Sequence, residues 1–387
     1  MRILLINHTP LQGSGSGTYT ANLRRALRTR GHRVAVLVPA SDVGLAETDS
    51  ADYTFTVPLA AFPSFTGHPA SPLTYDALGP RDLSALADAW GRAIGRAVER
   101  FRPDVVHVQH LWIPFEATRG HGRPVVVTCH GSEIGMLRSH RLSHGRRYLS
   151  GAEQPPIICI SRFVLERLRS EIAAEANNAI LLRNSYDDTL FTPAAEFPTD
   201  TVRIGFVGRL VAYKRADFFL ELARTLIAAG FPGEFLIVGG GPDLPGLREQ
   251  ARRLGLSGSV RFRGVVPHEQ MPDIYRGLSA LVTCAEAEPF GLAAIEAAAC
   301  GTPAIVPRSG GLGELEHEPH VVGYDAGSLA SAASAIRRVV RADGRPAAAA
   351  RRRRAAYIRA TFGSARYLHT LEDIYAAAAR GAAGVSR

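Results

Sequence analysis

The chain has 387 residues and a formal charge of +9, from 45 Lys+Arg against 36 Asp+Glu. With 46% hydrophobic and 21% charged residues it is in the globular range, which excludes wholesale disorder. No run reaches the ~20 apolar residues of a membrane span, and the positive balance is spread along the chain rather than gathered into a nucleic-acid-binding arm.

The length suggests two to three domains. The opening MRILLINHTP is too short and too quickly polar for a signal peptide and reads as a first strand. Strands are predicted at Arg2–Asn7, Val34–Pro39, Tyr53–Val57, Val105–Gln109, Val125–His130, Ile157–Ser161 and Ile180–Arg183. Their hydrophobicity is continuous rather than alternating, as in a parallel sheet covered by helices on both faces. Helices are predicted from Thr18 to Arg30 and from Asp82 to Phe101, with Gly31 and Pro103 as stops. The segment Phe62–Pro80 is an unusual insert of Pro, Gly and aromatic residues.

At Phe191–Asp200 the periodicity stops in a linker-like stretch. A second series of strands follows at Arg203–Val207, Phe235–Val238, Val260–Phe262, Ala280–Thr283, Ala304–Pro307 and Val321–Tyr324. The fold class is therefore α/β, with two doubly wound Rossmann-like domains facing across a cleft. The expected divisions are 1–195, 196–363 and a C-terminal helix from Ser364 that can pack back on the first domain. The cluster Arg351 to Arg354 reads as a solvated helix face. Cys129, Cys159, Cys284 and Cys300 lie far apart in the sequence without CxxC pairs, which disfavours a disulfide framework or a structural zinc site and makes a reducing cytoplasm the expected location.

Five motifs carry chemistry. Gly13-Ser14-Gly15-Ser16-Gly17 opens the first helix and offers backbone N–H groups to an anion. It is neither a dinucleotide fingerprint, whose third glycine would fall at Thr18 or Thr20, nor a P-loop. Arg209 and Lys214 follow the strand Arg203–Val207. A guanidinium fork and a compact ammonium there suit a diphosphate, and Lys214 is the single lysine in a chain of 44 arginines. In Glu288-Pro-Phe-Gly-Leu-Ala-Ala-Ile-Glu296, Pro289 reads as the first helical residue, leaving the amides of Phe290, Gly291 and Leu292 as free donors. Glu296 is placed in an apolar helix where a carboxylate needs a partner: a hydroxyl pair of a sugar, or an internal arginine. His130 ends the strand before Gly131. Gly239-Gly240-Gly241 reads first as a tight turn and second as a ligand loop.

Together, GSGTYTANLRRAL, PDVVHVQH, VVVTCHGSE, ISRFV, GFVGRLVAYKR, FLIVGGGPD, VRFRGVVP and EPFGLAAIEAAACGTPAI resemble the retaining glycosyltransferases of family 4, which have the GT-B fold. The resemblance implies that Arg209 and Lys214 hold a donor diphosphate and that Glu296 binds the ribose. Glu288, with the backbone of Phe290, Gly291 and Leu292, would hold the transferred sugar and phosphate. His130 and Glu288 become the catalytic pair, the Gly15–Gly17 turn approaches the diphosphate, and Val265 and Val266 flank the base. The first loop departs from the family's Gly-Gly by carrying Gly15-Ser16-Gly17.

The expected reaction moves a hexose or N-acetylhexosamine from a nucleotide sugar, UDP-sugar being favoured, to a small soluble acceptor such as an aminocyclitol of antibiotic biosynthesis. No metal or other cofactor is expected. A nucleotide-sugar epimerase of the same fold, and a lipid or polysaccharide acceptor, are the alternatives; a dinucleotide oxidoreductase and a nucleic-acid binder are disfavoured.

Overall fold

The computed structural model describes residues 1–40, 53–65, 67–138, 154–172, 177–194, 201–318, 321–340 and 348–385. The end of the linker-like stretch, 195–200, therefore lies outside the described residues, as does position 66 in the insert. Contacts divide the chain into two units: Met1–Arg183 with Tyr367–Arg387, and Asn184–Arg366.

The first unit is built on seven parallel strands: β1 (Arg2–Asn7), β2 (Arg33–Pro39), β3 (Thr54–Val57), β4 (Val105–Gln109), β5 (Val125–Cys129), β6 (Ile157–Cys159) and β7 (Ala179–Leu181). They pair in the order β3-β2-β1-β4-β5-β6-β7. Ile3 to Ile6 are fully buried without alternation, so both faces of β1 are covered. Helix α1 (Gly15–Thr29) buries Tyr19, Leu23 and Leu27 along one face. It begins at Gly15 rather than at the predicted Thr18, because Ser14 caps it: the Ser14 hydroxyl accepts the Gly17 N–H at 3.0 Å. Helix α2 (Pro80–Phe101) starts two residues before the predicted Asp82, with the Asp82 carboxylate accepting the Gly79 N–H at 3.0 Å. A short helix, α3 (Ser132–Arg138), follows β5.

The second unit repeats the plan with six parallel strands: β8 (Val202–Val207), β9 (Gly233–Val238), β10 (Val260–Gly264), β11 (Ala280–Val282), β12 (Ala304–Pro307) and β13 (Val321–Tyr324). Their order is β10-β9-β8-β11-β12-β13. In both sheets the chain lays strands to one side, then returns to the other, so the order reverses beside β1 and β4 in one unit and beside β8 and β11 in the other. Ligands of such sheets bind beyond the carboxyl ends of the strands at this reversal.

Helix α4 (Leu292–Ala299) carries Glu296. It starts after the predicted Pro289, because Gly291 adopts φ 100°, where a side chain would also meet Leu312. Helix α5 (Ala348–Phe362) corrects half of the reading of the arginine cluster as a solvated face: Arg352 and Arg353 are exposed, but Arg351 and Arg354 are not. Arg351 and Arg354 are 1% and 6% exposed, and Arg354 Nη1 donates to the Gly301 carbonyl just past the end of α4 at 2.8 Å. Their i, i+3 spacing puts both on the buried side, and a cation suits a helix C-terminus. Cys129 and Cys159, distant in sequence, are paired neighbours on β5 and β6, and all four cysteines are buried and free.

Helix α6 (Ser364–Val385) follows, and from Tyr367 onward it belongs to the first unit. Tyr367, Leu368, Leu371, Ile374 and Tyr375 join Ile3, Leu5, Leu23 and Leu27 in one apolar cluster. Each such buried aliphatic side chain contributes about 2 kcal/mol. Glu372 adds a bidentate pair with Arg30 and a 2.9 Å contact with His32.

Candidate active site

The carboxyl edge of the second sheet is charged. The loop after β8 carries Lys214 and the loop after β11 carries Glu288, and the two meet across the reversal: Lys214 Nζ donates to Glu288 Oε2 at 2.6 Å. Burial disfavours the ammonium, but Glu288 and Tyr213 beside it outweigh that and hold its pKa above the usual lysine value. The neighbouring Arg215 makes a parallel clasp, donating to Glu286 at 3.0 Å and pairing with Asp217. Arg209 is half-buried at the start of the same loop, and Val265 is 80% exposed on the loop after β10.

Glycines let the backbones of this edge interlock. A Cβ at Gly239 would stand 1.9 Å from the Gly208 carbonyl oxygen, and one at Gly311 would stand 2.1 Å from that of Pro289. The Gly311 N–H donates to the Glu288 carbonyl at 2.7 Å and so fixes the loop that presents Glu288. The triple glycine Gly239–Gly241 is thereby accounted for as a close backbone approach.

Glu296 faces the same edge from one turn into α4. It is 8% exposed, and the Tyr275 hydroxyl donates to its Oε2 at 2.8 Å. Burial pushes its pKa up to about 8, against the pull of that hydrogen bond; the Asp187 carboxylate adds to the rise. The internal arginine weighed as its partner is not found among the described residues.

The corresponding edge of the first sheet carries histidines in place of the lysine. His8 follows β1, His110 follows β4 and His130 follows β5. His8 Nδ1 lies 3.1 Å from His110 Nδ1 across the reversal, and the His110 and His130 rings are 4.6 Å apart. Burial, then His110, lowers the His130 pKa to about 3 against the opposing pull of Glu133; burial lowers that of His110 to about 3. Neither ring is protonated at neutral pH. His130 Nε2 pairs with the Gln109 side chain at 3.0 Å. The fully buried Glu133 accepts the backbone N–H groups of His130 at 3.0 Å and Leu111 at 3.3 Å, which holds the turn that carries the ring. The insert is part of this edge: His68 bonds the Gln12 carbonyl at 2.8 Å, and Phe65 and Tyr75 pack with Trp112 and His8.

Comparison with known proteins gives the family of the chain. The profile of the Glycosyl transferases group 1 family matches residues 188–357, and that of Glycosyltransferase Family 4 matches residues 13–189. The chain belongs to glycosyltransferase family 4. Glycogen synthase of Mycobacterium tuberculosis is 29% identical over 98% of this chain and 96% of its own length. The D-inositol 3-phosphate glycosyltransferase of Mycolicibacterium smegmatis is 28% identical over 80% of this chain and 76% of its own. Among solved structures, sucrose-phosphate synthase of Thermosynechococcus elongatus matches with a TM-score of 0.79 at 20% identity, over 97% of this chain and 98% of that one. The two Rossmann-like units are those of the GT-B fold.

In this glycosyltransferase the second unit places Arg209, Lys214, Val265, Val266, Glu288, Phe290 and Gly291 in loops after its strands and Leu292 and Glu296 on α4, while in the first unit Gly15 and Gly17 lie in the first turn of α1 and His130 directly after β5. Gly17 does not offer a free amide, since Ser14 takes it; Gly15 and Ser16 keep the first-turn amides that no intrahelical carbonyl reaches. A Cβ at Gly15 would meet nothing within 4 Å, whereas one at Gly17 would strike the Pro10 carbonyl. Sequence reasoning missed His8, His110, Gln109, Glu133, Tyr275, Gly311 and the Arg215–Glu286 clasp. His110 had a weak signal, as the residue directly after a buried strand, the same position that singled out His130. Among the described residues no group of three or more His, Cys, Asp or Glu is placed to hold a metal ion, and no helix is long and apolar enough to cross a membrane.

Proposed function

We propose that the chain transfers a hexosyl or N-acetylhexosaminyl group, with retention, from a nucleoside diphosphate sugar to a hydroxyl of a small soluble acceptor. A UDP-sugar is the donor this reading favours. The observation that carries it is the Lys214–Glu288 pair, 2.6 Å apart across the reversal of the second sheet with Glu296 on the next helix. A donor replaces both halves of that pair. Its diphosphate takes the Lys214 ammonium with Arg209, and the hydroxyls of its sugar take the Glu288 carboxylate. The backbone of Phe290, Gly291 and Leu292 borders the same sugar and phosphate, Glu296 takes the ribose and Val265 and Val266 border the base.

Cleavage of the sugar–phosphate bond leaves negative charge on the diphosphate, and positioned cations and amides stabilise it. In the first unit, the resemblance assigns His130 the place beside the sugar and the Gly15–Gly17 turn a contact with the diphosphate. Because His130 is neutral, it can accept or donate one hydrogen bond without bringing a charge.

The inositol-phosphate relative supports a cyclitol acceptor, including an aminocyclitol of antibiotic biosynthesis. A polysaccharide acceptor is the second reading, favoured by the glycogen synthase relative that spans nearly the whole chain. The test incubates the protein with UDP-glucose, UDP-N-acetylglucosamine, GDP-mannose or ADP-glucose, with inositol 3-phosphate, 2-deoxystreptamine or glycogen, in the presence of EDTA. A glycosylated cyclitol is expected, and an isomerised donor formed without acceptor would identify an epimerase instead. Lys214→Ala removes a charged hydrogen bond and lowers turnover about ten- to a hundredfold; full turnover in that variant removes Lys214 from the site.

A further inference from the structure

Glu296 is a carboxylate enclosed by alanines and Ile295 on α4, and among the described residues no cation pairs with it. The Tyr275 hydroxyl alone does not account for it, because a glutamine there would accept the same hydrogen bond without the cost of burying an ionisable acid. The tyrosine itself is held rigidly on the helix Met271–Arg276. It is 1% exposed, its ring packs 5.9 Å from Phe191, and Thr302 Oγ1 donates to its carbonyl at 2.6 Å. Its hydroxyl is thus a fixed donor on Oε2 of Glu296, while Oε1 has no hydrogen bond among the described residues.

We infer that Tyr275 is a positioning residue of this glycosyltransferase: by tying Oε2 it holds the Glu296 carboxylate for the two vicinal hydroxyls of a ribose, so that ribonucleoside diphosphates are selected over their 2′-deoxy counterparts. This rests on the reading of Glu296 as the ribose ligand. Once the arriving hydroxyl donors favour its ionised form, the Glu296 carboxylate has about four lone-pair sites. With one taken by Tyr275, Oε1 is left for one hydroxyl and the remaining site of Oε2 for its neighbour. A 2′-deoxyribose brings one hydroxyl to this arrangement and leaves a desolvated acceptor unfilled. That asymmetry, more than the bond itself, makes such sites selective. Without the tyrosine hydroxyl the carboxylate can turn about its last bonds, and its charged form loses the one donor that favours it in the free protein.

The test measures dissociation constants by calorimetry for UDP, GDP and ADP and for dUDP, dGDP and dADP, on the wild type, Tyr275→Phe and Glu296→Gln. The wild type is expected to bind one ribonucleotide at least about tenfold more tightly than its 2′-deoxy partner. Tyr275→Phe, which keeps the buried ring, should narrow that ratio about threefold or more by weakening the ribonucleotide alone, and Glu296→Gln should abolish it. If none of the six binds, or if Glu296→Gln keeps the wild-type ratio, the ribose reading of Glu296 fails and the inference with it. If Glu296→Gln abolishes the ratio but Tyr275→Phe keeps it, or weakens both members equally, the ribose reading stands and the role of Tyr275 is overturned.

Discussion

The two units share one strand order yet treat the same topological position in opposite ways. Across the reversal of the first sheet, His8 faces His110 at 3.1 Å, both neutral and both buried under the Phe65–Tyr75–Trp112 cluster. Across the reversal of the second, Lys214 faces Glu288 at 2.6 Å, both charged and partly open. A parallel sheet with this order supplies a place for ligands at its carboxyl edge but not their chemistry. The chemistry comes from whether the loops there exclude water. The aromatic insert seals the first edge and discharges its histidines. The glycine-locked loops of the second keep backbones close while leaving side chains in reach of solvent, so opposite charges persist as a pair.

Acidification breaks the comparison most strongly. His8, His110 and His130 at this edge, and His107 inside β4 between the Tyr375 and Thr128 hydroxyls, are held neutral by burial, three of them with pKa values near 3 and His8 well below its ordinary value near 6.5. Unfolding exposes them, so the unfolded chain takes up protons that the folded chain refuses. The stability they contribute is present above pH 6.5 and is lost as pH falls toward about 3. Each group accounts for up to about 1.4 kcal/mol per pH unit, or about 5 kcal/mol per unit for all four. Urea midpoints measured from pH 7 to pH 5 check this, and a flat profile would mean that the first edge is wetter than described.

Glycine substitutions give the next largest effect. Gly311→Ala forces a Cβ to within 2.1 Å of a backbone oxygen and should cost about 2–3 kcal/mol. Gly15→Ala, in a first helical turn with open space around it, should be neutral or stabilise by up to about 1 kcal/mol. Denaturant titration of the two variants separates a glycine required by packing from one that is not; equal costs would contradict the interlocked second edge.

Per pH unit, a smaller effect runs the other way. Burial, with the Asp187 carboxylate adding to it, raises the Glu296 pKa from 4.5 to about 8 against the pull of the Tyr275 hydrogen bond. The folded chain keeps a proton that the unfolded chain has released, so this contribution is complete below pH 4.5 and is lost as pH rises through about 8. Glu296→Gln should remove a slope of about 1.4 kcal/mol per pH unit between those limits. An unchanged slope in the variant would place the titration elsewhere.

Much of this was legible along the chain because its signals are local. Continuous Val, Ile and Leu runs mark buried strands, and glycine or proline marks the helix stops. Lys214 stands out against 44 arginines, and the paired glutamates Glu288 and Glu296 lie in one short motif. What was misread depended on residues distant in sequence. Gly291 delays the start of α4 to Leu292 because its positive φ and the nearby Leu312 leave room for no side chain. Arg351 and Arg354 are buried because their helix packs by the end of α4, where the Gly301 carbonyl accepts one of them. Tyr275 precedes Glu296 by twenty-one positions, and no periodicity links them.

The sequence by itself determined two series of parallel strands and the identity of the charged groups that follow them, since burial on both faces and chain order are written in neighbouring residues. Only the tertiary structure decided which groups remain charged. Whether a histidine is neutral or a lysine paired depends on what the rest of the chain places over it and on how much water is left there.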